Sequence, residues 1–296
     1  MTYRAWNLKP LDRAALRELT QAIAEQATEE LEYNAQNDEP WSEQKYAAAL
    51  AAQQKENALL AGVLTARGIT DPTEALTLLA GEEELSDPSL LTDMDKACER
   101  IWRAIDEGET IVVFGDYDVD GVTATALLYQ HLKGMGATVK CMLPSREGDG
   151  YGLSRNAIRS IHDKGCKLIV TVDNGISAVE EADYAAELGI DLIITDHHLT
   201  TKATPPAEAV VNPNQLGCEF PSKALAGVGV AFYVLAALSS LRARQGKASA
   251  KVAGYLDLVA LGTYADVASL DYNNRILVDA GLKRIQQGVG RAGISA

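Results

Sequence analysis

The sequence predicts an α/β protein: a parallel β-sheet flanked by helices, preceded by a helical N-terminal region. Two observations carry this. Short strand-like runs at residues 110–114, 137–143, 168–172 and 191–195, the first of them apolar and β-branched, alternate with longer helix-like stretches. Strands separated by whole helices pair in parallel through right-handed crossovers. Before Gly108 the chain is instead rich in Ala, Leu, Glu and Gln, all good helix formers, with no strand-like run. A chain of 296 residues, 47% of them hydrophobic, can bury one large core or two ordinary ones.

The elements follow in order. Residues 11–33 and 41–67 read as helices, the second ending at Gly68. Thr70-Asp71-Pro72 opens a third helix, and Asp87-Pro88 marks a turn. Thr92 or Asp93 is placed to cap a helix running toward Glu107. Residues 1–108 are therefore expected to form a helical region and 109–296 the α/β core. Within the core, helices are expected at 122–132, 154–164 and 178–188 between the four strands. Beyond Pro221 the chain turns helical again, over 228–244, 252–261 and 274–287.

Composition narrows the function. No segment approaches the roughly 20 consecutive apolar residues of a membrane span, and Met1–Pro10 lacks an apolar signal core. The expected location is the cytoplasm. Cys98, Cys141, Cys166 and Cys218 are scattered, which argues for reduced thiols over a disulfide framework or zinc ribbon. A protein held to DNA by a broad basic face is usually basic overall, and this chain has a net charge of −14, so one reading is that it does not bind nucleic acid. A local basic patch assisted by metal ions stays open.

Ligands of an open parallel sheet gather beyond the carboxyl ends of its strands, and the acids and histidines fall there. Asp116, Asp118 and Asp120 follow the first strand in Gly115-Asp-Tyr-Asp-Val-Asp-Gly121. Asp173 follows the third, Asp196-His197-His198 follow the fourth, and Asp266 lies further on. A lone Asp at a strand end is usually a turn residue, and His131 and His162, on helices, read as structural. Three acid-bearing strand ends in one sheet are another matter. Crowded carboxylates raise one another's pKa, and divalent cations remove that conflict. Oxygen ligands with one or two imidazoles suit Mn²⁺ or Mg²⁺. Two such ions about 3.5–4 Å apart can hold a hydroxide and clamp a phosphate for in-line attack.

These same residues carry a resemblance. Asp196-His197-His198 matches the motif that names the DHH phosphoesterases. Residues 112–121 resemble the family's first motif in the form found in RecJ exonucleases, 172–177 its second and 258–267 its fourth. Asp149-Gly-Tyr-Gly-Leu153, residues 226–232 and Leu90-Leu-Thr-Asp-Met94 look RecJ-like too. The resemblance implies Asp118 and Asp120 as metal ligands, Asp173 as the bridging carboxylate, and His197 and Asp266 as further ligands. It implies that His198 acts on the phosphate or leaving group, that Asp196 orients its neighbours, and that Asp116 either supports the ligands from behind or is an occasional ligand.

Nucleic-acid contacts are less sharply marked. Arg146, Tyr151, Gly152 and Arg155 surround a glycine-rich loop that could pair with phosphates and stack on a base. The residues alone leave a plain surface loop equally open, and the resemblance favours contact. Gly227 and Gly229 precede a helix whose N-terminal amides could hold a phosphate, and Arg275 is a weaker candidate. The resemblance further implies 5′→3′ hydrolysis of single-stranded DNA in repair and recombination, by a monomer, with a single-strand-binding protein or helicase as possible partners. Two departures stand out. Residues 25–55 look longer than usual. Family members also continue into a second domain with a Gly-Gly-Gly-His motif that does not occur here, so a truncated core is expected. The alternatives are a phosphodiesterase of the same superfamily acting on oligonucleotides or cyclic dinucleotides, and a non-catalytic scaffold for DNA or a replication protein. Such a scaffold would be expected to have lost ligands.

Overall fold

A computed structural model of the chain describes residues 11–37, 41–81, 84–144, 152–199, 203–247 and 251–295. It divides into two compact units, Met1–Glu83 and Glu84–Ala296. The first contains helices α1 (Arg13–Asn37), α2 (Glu43–Ala66) and α3 (Pro72–Ala80). Ser42 caps α2 by accepting from the Lys45 N–H, and Asp71 caps α3 from that of Glu74, with Pro72 at the first helical position. Leu19, Ile23, Ala61, Leu64, Ile69 and Ala75 close a small core between them.

The second unit is the α/β body, with α4 (Met94–Asp106), β1 (Thr110–Phe114), α5 (Val119–Gly134), β2 (Thr138–Met142), α6 (Arg155–His162), β3 (Leu168–Val172), α7 (Val179–Glu187), β4 (Asp191–Thr195), β5 (Ala209–Val211), α8 (Gly227–Arg244), α9 (Leu256–Ala265), α10 (Tyr272–Gln286) and α11 (Ala292–Ser295). The division at 83/84 differs from the expected one at 108. The reason is packing: Met94, Ala97, Cys98, Ile101 and Ala104 put the inner face of α4 into the main core of this unit.

The five strands are all parallel, in the order β2-β1-β3-β4-β5. Alternate residues serve opposite faces, as the pleat requires. Ile111, Val113, Leu168, Val170 and Ile193 join the core formed with α4, α5 and α8. Val112, Phe114, Ile169, Leu192 and Ile194 join the core with α6 and α7. Burial on both faces explains why β1, β3 and β4 read as continuous apolar runs, whereas β2, at the sheet edge, is largely exposed and carries Lys140. β5 escapes the sequence pattern, because three residues are too few to show a period. From β1 the chain runs outward to β2 and then returns to β3 on the other side. The switch point of the sheet, where a ligand crevice opens, therefore lies between β1 and β3.

Candidate metal centre

The residues after β1 turn sharply into α5. Asp118 caps that helix, its Oδ1 accepting from Gly121 N–H at 2.9 Å, which starts α5 three residues before its expected first residue. Asp116, buried, accepts from the Tyr117 N–H at 2.6 Å. Gly121 is required here, since a Cβ on it would lie 2.7 Å from the backbone nitrogen of Asp116.

Asp120 lies in the first turn of α5, fully buried, and reaches the start of α8. Its Oδ2 accepts from Gly227 N–H at 2.7 Å and its Oδ1 from Val228 N–H at 2.8 Å. A carboxylate at a helix N-terminus is electrostatically favoured. The finding corrects the expectation for this segment: the Gly227 amide serves Asp120 rather than a phosphate. Gly229 packs on Leu225, which a Cβ would approach to 2.6 Å.

Across the switch point, Asp173 ends β3 with φ of 61°. Such a conformation is uncommon for any residue but glycine, though Asp and Asn adopt it more readily than most. Asn174 fastens the bend: its side-chain amide donates to Val172 O at 2.9 Å and Phe114 O at 3.3 Å, tying β3 to β1. A Cβ on Gly227 would stand 2.8 Å from Asp173 Oδ1, so this glycine makes room for the carboxylate.

After β4, Asp196 acts as an anchor. Its Oδ1 accepts from the His197 N–H (2.7 Å), the His198 N–H (3.1 Å) and His198 Nδ1 (2.7 Å), and its Oδ2 from Ile176 N–H (2.8 Å). Burial pushes the carboxyl up, yet the bonds from His198 and the backbone outweigh it and hold Asp196 below the usual range. Two asparagines beyond β5 complete the clamp. Asn212 donates to His198 O at 3.1 Å and Asn214 to His197 O at 2.6 Å.

Three groups of ligand atoms result, each within 4.8 Å: Asp116–Asp118–Asp173, Asp173–His197–His198 and Asp120–His197–Asp266. Asp173 and His197 each belong to two of them. His197 Nε2 stands 3.0 Å from Asp173 Oδ1 and 3.8 Å from Asp120 Oδ2, and its Nδ1 3.9 Å from Asp266. Yet Asp173 Oδ1 and His197 Nε2, both buried, meet hydrogen-bond geometry with no group among the described residues. Burial first, then neighbouring carboxylates, pushes Asp120 up to about 6 and Asp173 up to about 7. Burial opposes a charge on His197, but Asp173, Asp120 and Asp266 prevail and raise it to about 9. Several buried acids gathered round a single imidazole, itself 3.0 Å from Asp173, fit a divalent cation site built from oxygen and imidazole.

The expected nucleic-acid residues are less unified. Gly152 lines a cleft of about 420 Å³ with Ile176, Ser177, Glu181, Asp196 and His198. Arg155 is turned over the Tyr184 ring at 4.5 Å, and Arg275 donates to Leu270 O at 3.2 Å. Arg146 and Tyr151 lie outside the described residues. His131 is buried, 3.0 Å from the Ser239 hydroxyl, as a structural residue should be. Sequence reading missed Asn174, Asn212 and Asn214; the Asn-Pro-Asn after an apolar run was the available signal.

Comparison with known proteins bears on the whole arrangement. The model of the DHH family, N-terminal domain, matches residues 110–263, just over half of the chain. The single-stranded-DNA-specific exonuclease RecJ of Dickeya dadantii (strain 3937) is 47% identical over 246 residues, covering 81% of this chain and 42% of that protein. A crystal structure of exonuclease RecJ bound to manganese matches 67% of this chain and 49% of its own, at 38% identity and a TM-score of 0.59. RecJ of Thermus thermophilus in complex with Mg²⁺ matches 95% of this chain and 31% of its own, at 28% identity and a TM-score of 0.53. The chain thus spans less than half the length of these relatives. Among the described residues, no helix is long and apolar enough to cross a membrane.

Proposed function

This chain belongs to the DHH family, and from that premise we propose that it hydrolyses phosphodiester bonds with two divalent cations, Mn²⁺ or Mg²⁺, taking single-stranded DNA from its 5′ end. The observation that carries the reading is the buried contact of Asp173 Oδ1 with His197 Nε2, 3.0 Å apart, at the centre of three groups of potential ligand atoms. Asp116 and Asp118 would hold one cation and Asp120, His197 and Asp266 the other, with Asp173 between them. When bound, the cations supply Lewis acidity and lower the pKa of the attacking water.

The chain's own groups do the rest. Asp120, fixed by two α8 amides, holds its oxygens in place without side-chain freedom. Asp196 holds His198 through Nδ1 at 2.7 Å, so Nε2 is the nitrogen that can serve a phosphate oxygen or the leaving group. The hydrogen bond to Asp196, ahead of opposing burial, raises the His198 pKa. A protonated ring can donate there. Asn212 and Asn214 fix the backbone beneath both histidines, as outer partners of metal ligands do. The RecJ likeness supports single-stranded DNA as substrate, and with it a cytoplasmic place in DNA repair and recombination.

The test is Mn²⁺-dependent digestion of a 5′-labelled single-stranded oligonucleotide, with Asp173→Ala as control. Labelled mononucleotides from the parent and none from the variant are expected. Cleavage of a dinucleotide but of no longer strand would turn the reading to the small-substrate members of the superfamily. Equal cleavage by the variant would refute the site.

A further inference from the structure

Helix α9 carries a single glycine, Gly262, buried together with Leu258, Val259, Ala260 and Thr263. Glycine loses more conformational freedom on entering a helix than any other residue, and alanine is the better helix former. A glycine in a buried helix therefore asks for a packing reason.

That reason lies toward the metal centre. A Cβ on Gly262 would collide with Thr123 Oγ1, and would stand 2.8 Å from Val228 Cγ1 and 3.0 Å from Asp120 Oδ1. Thr123 and Asp120 belong to α5, and Val228 to the start of α8. One turn later, the Asp266 N–H donates to Gly262 O at 2.9 Å. The ligand group Asp120–His197–Asp266 thus takes one acid from α5 and one from the end of α9. Gly262 stands where these two helices touch.

The atoms around Gly262 have little room to give way. Thr123 is β-branched and stiff at χ1, and its hydroxyl is held by Val119 O at 2.8 Å and Asp120 O at 3.0 Å. Asp120 is fixed by the amides of Gly227 and Val228 at 2.7 Å and 2.8 Å. A methyl group at position 262 is therefore accommodated by α9 moving off α5. Asp266 rides on that helix and would leave its place opposite Asp120. A small cation such as Mg²⁺ keeps its ligands at roughly 2.0–2.1 Å in near-ideal octahedral geometry, so it tolerates little change in that span.

We propose that Gly262 is a positioning residue of the metal centre: its missing side chain sets the span between Asp120 and Asp266, and with it the affinity for the cation that these acids share with His197. The proposal rests on the two-cation reading above.

The test is a double-mutant cycle on Mn²⁺ affinity, measured by isothermal titration of the metal-free full chain. The variants are Gly262→Ala, Asp266→Ala and the two together. Gly262→Ala should weaken one of the two ions about 10- to 100-fold, the range for residues that orient a ligand. The other ion, at Asp116 and Asp118, should bind as in the parent. On the Asp266→Ala background the glycine substitution should change affinity by less than about threefold, since a carboxylate already removed cannot be displaced. Adding Thr123→Ala to Gly262→Ala takes away the atom nearest the new methyl and should recover part of the affinity. Arg100→Met, at the opposite end of the sheet, serves as a stability control and should lower the melting temperature without weakening either ion. Should Gly262→Ala not fold, the variant that also carries Thr123→Ala takes its place in the cycle. Parent-like binding of both ions, or an equal loss on the parent and Asp266→Ala backgrounds, would overturn the positioning role and leave the centre standing. A parent that does not bind two ions would overturn the two-cation reading, and this inference with it.

Discussion

The two ends of one sheet handle buried charge in opposite ways. At the amino ends of β1 and β4, Arg100 is almost wholly buried between Glu109 and Asp191, at 2.7 Å and 2.5 Å. The cation there is a side chain opposite in charge to both acids, although Arg100 Nη1 and Glu109 Oε2 meet strict hydrogen-bond geometry with no group among the described residues. At the carboxyl ends Asp116, Asp120, Asp173 and Asp196 are buried with two histidines as their cationic partners. Asp196 is held below the usual pKa range by bonds from His198 and the backbone, whereas burial pushes Asp120 and Asp173 up. A buried ion pair is tolerated when its geometry matches. A surplus of buried acid is tolerated when a cation from solution completes it. The amino end is a finished piece of structure, and the carboxyl end is a receptor.

The largest effect of a single substitution on stability should come from breaking the amino end. Arg100→Met leaves two acids facing a buried gap and should cost about 3 kcal/mol, the low end for a broken buried pair because Asp191 is partly exposed. Denaturant titration measures this. The folded fraction should bind Mn²⁺ as the parent does, since the two ends do not share residues.

The carboxyl end should respond to cations and pH instead. Without metal, the folded-state pKa values of Asp120 and Asp173, about 6 and about 7, exceed the ordinary 3.8. Groups shifted upward on folding contribute stability that is complete below their unfolded pKa and lost as pH rises through the folded values. The metal-free protein should therefore lose stability from about pH 4, near the unfolded value, to about pH 7, the upper folded value. Mn²⁺ at a hundredfold excess over its Kd should restore about 2.7 kcal/mol per site at pH 8. Melting curves with and without chelator measure both. In Arg100→Met the same pH response should persist, which would separate the two ends.

The smallest effect belongs to the clamp under the histidines. Asn214→Ala removes the 2.6 Å bond to His197 O and should weaken Mn²⁺ binding about tenfold, the mild end for outer partners of a ligand. Unchanged affinity would mean that Asp196 alone suffices to place His197.

The receptor end was legible because position and chemistry coincide. Asp116, Asp118, Asp173 and His197 stand directly after apolar runs, and parallel pairing alone brings such positions to one rim. What stayed hidden depends on long-range contact. Asn212 and Asn214 look like ordinary turn residues until the three-residue β5 is seen beside β4. Gly227 looked like a phosphate cradle because its amide partner, Asp120, lies 107 residues away. The positive φ of Val267, 58°, has no sequence signal, since a β-branched residue is an outlier in that conformation.

The central claim is that the carboxyl end is built for two divalent cations with Asp173 between them. Isothermal titration of the metal-free protein with Mn²⁺, beside Asp173→Asn, tests it most directly. Asparagine keeps the φ of 61° comfortable, so the variant should fold at least as well as the parent at pH 8. Two ions per chain in the parent, and a loss of more than about a hundredfold in affinity in the variant, are predicted. Absence of Mn²⁺ binding in the parent, or equal binding in both proteins, would contradict the account.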